Sequence, residues 1–118
     1  MKIRIKGNSL RYRLTKTDIY NFTENGYIEE HTNFGEHTLI YALKKANNGQ
    51  LSAKFENNGI ILYMPEELAN EWALTDRVGF DGEYKGLSLL IEKDFKCLDN
   101  VAEDQSDNYP NPLALKLG

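Results

Sequence analysis

Signals that interrupt regular structure recur at short intervals along this chain. They are Gly7-Asn8, Asn25-Gly26, Phe34-Gly35-Glu36, Asn47-Asn48-Gly49, Asn58-Gly59, Pro65, and the run Gly79, Gly82, Gly86. The segments between them are too brief for a bundle of long helices. They suit short strands joined by hairpins, with one or two short helices.

Patterning within the segments agrees. Residues 2–6 place Lys2, Arg4 and Lys6 on one side and Ile3 and Ile5 on the other, the period of a strand. After Gly7-Asn8, residues 9–14 alternate again, with Leu10, Tyr12 and Leu14 opposite Arg11 and Arg13. Thr15 and Asp18 have the spacing of a capping box, and Leu14 and Ile19 that of a hydrophobic staple, so a helix is expected over about residues 16–24, stopped by Gly26. Residues 27–33 and 37–46 read as two strands; Thr38 to Leu43 is apolar on both faces, as a central strand is. Leu51, Ala53 and Phe55 alternate with polar residues before Asn58-Gly59, whose tolerance of positive φ predicts a two-residue turn pairing Phe55 with Leu62 and Ala53 with Met64. Pro65, Glu66 and Glu67 suit the first turn of a helix over about 65–73, with Leu68 and Trp72 on its core face. Residues 75–86 read as loop with one short strand, and Leu87 to Phe95 as a last, central strand.

The fold class is therefore α+β: a largely antiparallel, curved sheet of about six strands with two short helices. No internal repeat is visible. The texture changes after Leu98, so residues 1–98 form one domain and residues 99–118 an acidic tail with Pro110 and Pro112, either flexible or packed on the domain.

A chain of 118 residues can support one such core. Its single cysteine, Cys97, cannot form an intrachain disulfide, which suits a reducing compartment. Charge at every second position of residues 2–6 is incompatible with a signal peptide there, and no apolar window is long enough to span a bilayer. The expected location is cytoplasmic, with no membrane partner.

Two stretches carry a resemblance. One runs from Met1-Lys2-Ile3-Arg4-Ile5-Lys6 through Gly7-Asn8-Ser9-Leu10-Arg11-Tyr12-Arg13-Leu14-Thr15. The other is Leu90-Ile91-Glu92-Lys93-Asp94-Phe95-Lys96-Cys97-Leu98 with Glu103-Asp104 and Asp107-Asn108-Tyr109-Pro110-Asn111-Pro112. Together they resemble a family of small uncharacterised bacterial proteins of the Bacteroidetes type. The resemblance implies a bacterial cytosolic protein and supplies no mechanism.

Charge segregation is the most informative functional signal. Residues 1–17 hold six bases (Lys2, Arg4, Lys6, Arg11, Arg13, Lys16) and no acid. Residues 18–36 hold five acids and no Lys or Arg, and Asp99, Glu103, Asp104 and Asp107 make a second acidic block. If the first two strands pair, Lys2, Arg4, Lys6, Arg11 and Arg13 share a face, and arginine forks bind phosphate or carboxylate bidentately. The leading expectation is a binding or interaction module for an anionic small molecule or a protein partner. The alternative is a small metal-assisted enzyme acting on a phosphorylated substrate, with Glu92 and Asp94 holding the metal. A solvated sheet face or a guarded edge strand explains the same charges without a ligand. The net charge of −4 argues against nucleic acid. The tail carboxylates are a candidate clamp over the basic face.

Other candidates carry less. Cys97 lies near Lys93 and Lys96 but lacks a recognisable base, and a free cysteine is ordinarily a small buried hydrophobe. His31 and His37 with one distant cysteine do not make a zinc signature. The glycines of 79–86 match neither a P-loop nor a dinucleotide fingerprint, so no cofactor is expected. Asn108-Tyr109-Pro110-Asn111-Pro112 has the make-up of a docking peptide or of a simple terminus. Oligomeric state and strand order are not encoded legibly.

Overall fold

Alternating basic and apolar residues build the first hairpin. Strands β1 (Lys2–Lys6) and β2 (Ser9–Leu14) pair antiparallel, with Arg4 opposite Arg11 and Lys2 opposite Arg13. Leu10, Tyr12 and Leu14 turn inward and are buried. The computed structural model describes residues 1–95 and 106–110.

Helix α1 (Lys16–Asn25) starts where the sequence requires. The Thr15 hydroxyl accepts from the Asp18 N–H at 3.3 Å, and the Asp18 carboxylate accepts from the Thr15 N–H at 3.0 Å. It ends at Gly26, whose φ of 72° lets its N–H bond the Phe22 carbonyl at 2.7 Å. Strands β3 (Tyr27–Asn33), β4 (Thr38–Ala46), β5 (Ser52–Glu56) and β6 (Gly59–Pro65) follow. Then come helix α2 (Glu66–Leu74) and strands β7 (Gly79–Tyr84) and β8 (Leu87–Lys93).

The class is α+β with two helices, but the sheet differs from the single six-stranded one expected. Eight strands form two four-stranded sheets, ordered β1-β2-β8-β7 (sheet A) and β3-β4-β6-β5 (sheet B). Both are mixed: the hairpin pairs are antiparallel, while β2–β8 and β4–β6 run parallel. The reason is burial. Most strands carry one apolar face, and a single open sheet would leave much of it wet. Two layers close these faces, with the helices, over one core that includes Tyr12, Leu14, Leu43, Leu62, Met64 and Ile91. Thr38–Leu43 and Leu87–Ile91, both read as central, are central in different sheets. The Tyr12 hydroxyl crosses between the layers to donate to the Ile60 carbonyl at 3.3 Å, and burial pushes its pKa well above the ordinary tyrosine value.

The topology also holds the repeat that the sequence hides. The element order is ββαββ twice. Exchanging the halves turns the order β1-β2-β8-β7 into β5-β6-β4-β3, which is sheet B. Core positions correspond at a spacing of 50 residues: Leu10 and Ile60, Tyr12 and Leu62, Leu14 and Met64, Ile19 and Ala69, Phe22 and Trp72. Even the helix ends correspond. Lys45 Nζ donates to the Thr23 carbonyl at 3.0 Å and Lys93 Nζ to the Thr75 carbonyl at 2.8 Å. Strand lysines thus complete two helix C-termini that have no base of their own in the last turn.

Two local expectations shift. The β5–β6 turn is Asn57-Asn58, with φ of 51° and 61°, so Phe55 pairs with Ile60 and Ala53 with Leu62. Asparagine tolerates positive φ, so these two residues fill both turn positions and Gly59 begins the strand. Residues 79–84 are a full edge strand, because Phe80 and Tyr84 alternate inward despite the glycines.

Ser106 to Pro110 lies against the domain. Lys16 N–H donates to the Asp107 carbonyl at 3.1 Å, and Tyr109 N–H to the Asp94 carbonyl at 2.9 Å. The Tyr109 ring meets Phe95 edge-on at 6.0 Å, with Lys93 Nζ 5.1 Å from its centre.

Candidate functional site

Sheet registers fix which side chains share the outer face of sheet A. Reading from β1 to β7, one row is Lys6, Ser9, Ser88, Glu83. The next is Arg4, Arg11, Leu90, Asp81, and the third Lys2, Arg13, Glu92, Gly79. The expected residues Lys2, Arg4, Lys6, Arg11 and Arg13 therefore form one surface. The far edge of that surface is acidic.

Counter-ions treat these bases unequally. Glu92, partly buried, sits in the fork between Arg11 at 3.3 Å and Arg13 at 2.9 Å. Asp94 is buried and lies 3.2 Å from Lys2 Nζ, although its Oδ2 accepts no bond of hydrogen-bond geometry. Arg4 and Lys6 are exposed and have neither a carboxylate nor a hydrogen-bond acceptor among the described residues. Arg4, Lys6, Ser9, Arg11 and Leu90 line a shallow depression of about 270 Å³. A smaller one, about 150 Å³, continues between Arg4, Arg11, Arg13 and Lys2.

The arrangement can hold an anion. Two arginines directly opposite on a sheet repel each other, and an oxyanion between them turns that repulsion into charge-assisted hydrogen bonds. The first turn fixes the frame: Asn8 Nδ2 donates to the Gly86 carbonyl at 2.6 Å, and Ser88 N–H to the Asn8 carbonyl at 3.0 Å. These bonds lock the β1–β2 turn to the β7–β8 turn.

The carboxylates considered as metal ligands, Glu92 and Asp94, lie beside bases. Among the described residues no group of three or more His, Cys, Asp or Glu is placed to hold a metal. His31 pairs with Glu29 at 3.0 Å on an exposed strand, away from sheet A. Asp107 turns to α1 rather than to the arginines. Its carboxylate accepts from Thr17 N–H at 3.2 Å and from Thr17 Oγ1 at 3.0 Å. Hydrogen bonds from the Thr15 and Thr17 side chains hold its carboxyl below the ordinary range. Asp99, Glu103, Asp104 and Cys97 lie outside the described residues.

Sequence reasoning missed Ser9, Leu90, Asp81 and Glu83. Ser9 was readable from the alternation of 9–14. Asp81 and Glu83 were readable from their alternation with Phe80, Gly82 and Tyr84, a pattern that Gly79, Gly82 and Gly86 obscure within residues 75–86, read as loop with one short strand. That β7 lies two strands from β2 is a fact of topology alone.

The molecule is thus a two-sheet α+β protein with a charged outer sheet face. The chain belongs to the Family of unknown function (DUF7009), whose model matches residues 1–113. No curated protein and no solved structure matches it. Among the described residues no helix is long and apolar enough to cross a membrane.

Proposed function

We propose that the protein is a binding module that takes an anionic ligand on the outer face of sheet A, between Arg4, Lys6 and Arg11. One observation carries the reading: Arg4 stands opposite Arg11 with Lys6 beside it, and neither Arg4 nor Lys6 has a counter-ion among the described residues. A like-charge cross-strand pair costs stability, and a phosphate or carboxylate relieves that cost. Arg13 and Lys2 extend the positive field, with Glu92 and Asp94 as their counter-ions rather than as metal ligands. The single cysteine suits a reducing, cytoplasmic setting in a bacterial cell, and the net charge of −4 disfavours nucleic acid as the partner.

Thermal unfolding against phosphate, pyrophosphate, nucleotides and dicarboxylates tests this. A ligand that binds only the folded state adds about 2.7 kcal/mol at a hundredfold excess over its Kd. The expected result is a rise in midpoint with at least one anion that Arg4→Ala/Arg11→Ala abolishes. A rise that survives the double substitution would refute the site.

A further inference from the structure

We infer that the ligand of this face is dipolar: an extended, peptide-sized molecule with its anionic end at Arg4, Lys6 and Arg11 and a cationic end at Asp81 and Glu83. This rests on the anion-binding reading above and names the rest of the ligand.

The basic depression does not stop at β2. It shares Ser9 and Leu90 with a larger trough of about 750 Å³ that runs over β8 to β7 and reaches Asp81, Glu83 and Glu92. That volume falls within the range of small-ligand sites. The register explains the trough. Its floor carries small side chains, Ser9, Ser88 and Gly79, with Leu90 as the apolar centre. Longer charged side chains stand at the two sides.

The sides have opposite sign. Asp81 and Glu83 are exposed and have no cation among the described residues, as Arg4 and Lys6 have no anion. They cannot satisfy one another, because β1 and β7 are the opposite edges of the sheet. Strands lie about 4.8 Å apart, so β2 to β7 spans about 10 Å and β1 to β7 about 14 Å. An extended peptide covers about 3.4 Å per residue, so three or four residues bridge the charges. A peptide with free termini has the required polarity: its carboxylate goes to Arg4 and Lys6 beside Arg11 and its ammonium to the β7 carboxylates, while its backbone crosses Ser9, Leu90 and Ser88. Glu92 already occupies part of Arg11 and Arg13, which leaves Arg4 and Lys6 as the open anchors.

The test compares tetraglycine, N-acetyl-tetraglycine and tetraglycine amide, with inorganic phosphate as reference, by amide chemical-shift titration of the full chain. Tetraglycine is expected to bind at least about threefold more tightly than either blocked form, the scale of one exposed ion pair. Asp81→Asn/Glu83→Gln should make the free and N-acetylated peptides bind alike without weakening phosphate binding. Equal binding of the two in the unsubstituted protein, with phosphate still bound, overturns the dipolar ligand and leaves the anion site standing. No shift with phosphate or with any peptide overturns both.

Discussion

Arg4→Glu should make the protein more stable and, at the same time, unable to bind its anion. Arg4 and Arg11 are direct cross-strand partners on an exposed face. Taking their charges as about 6 Å apart in a solvent-like dielectric of about 80, the repulsion is ~0.7 kcal/mol. Reversing one charge converts it to an attraction of similar size, a swing of about 1.4 kcal/mol. Screening at 0.1 M salt, where the Debye length is about 10 Å, leaves ~0.8 kcal/mol. For a domain of this size that is a rise in Tm of roughly 3 °C. Arg4→Gln should give about half the effect. The assay is urea and thermal unfolding at 0.1 M and 1 M NaCl, followed by the fluorescence of the single tryptophan, Trp72, which is fully buried. At 1 M salt the gain should nearly vanish, because the Debye length falls to about 3 Å. A neutral or destabilising Arg4→Glu at low salt, or a gain that high salt leaves intact, would refute the claim that this pair is a stored electrostatic cost.

Two further substitutions probe the frame. Gly79 is paired with Glu92 of β8, and a Cβ at Gly79 would clash with the Ile91 carbonyl oxygen and the Glu92 backbone. Gly79→Ala should therefore destabilise by about 2–3 kcal/mol in chemical denaturation, the cost of forcing backbone apart in a packed sheet, and a change below about 0.5 kcal/mol would contradict that packing. Asp107 has a carboxyl lowered by its threonine hydrogen bonds, so its contribution is present above the ordinary carboxylate pKa and is lost as pH falls through the lower folded value. Asp107→Asn should accordingly melt below the unsubstituted protein at pH 7 and level with it in strong acid; a gap that persists in acid would show that the carboxylate is not the source.

Local structure was largely legible in the chain, and layer structure was not. The capping box at Thr15 and Asp18, the stop at Gly26 and the alternation of residues 2–14 depend on neighbours in sequence, and all three stand as read. The split into two sheets depends on which apolar faces meet. Alternation reports only that a face is apolar. The ββαββ repeat stayed hidden because its halves preserve topology and the pattern of burial rather than residue identity or size: Phe22 answers to Trp72 and Ile19 to Ala69. The basic half of the site was readable because it lies within one hairpin. The acidic half comes from the other end of the chain, brought alongside by the parallel β2–β8 pairing.

The central claim is that Arg4, Lys6 and Arg11 form an anion site on the outer face of sheet A, and a phosphate or pyrophosphate titration followed by backbone amide shifts tests it most directly. The account predicts saturable shifts at Arg4, Lys6, Ser9, Arg11 and Leu90, weakened by salt and absent in Arg4→Ala/Arg11→Ala. Shifts centred on another surface, or none at concentrations that saturate ordinary phosphate sites, would contradict it.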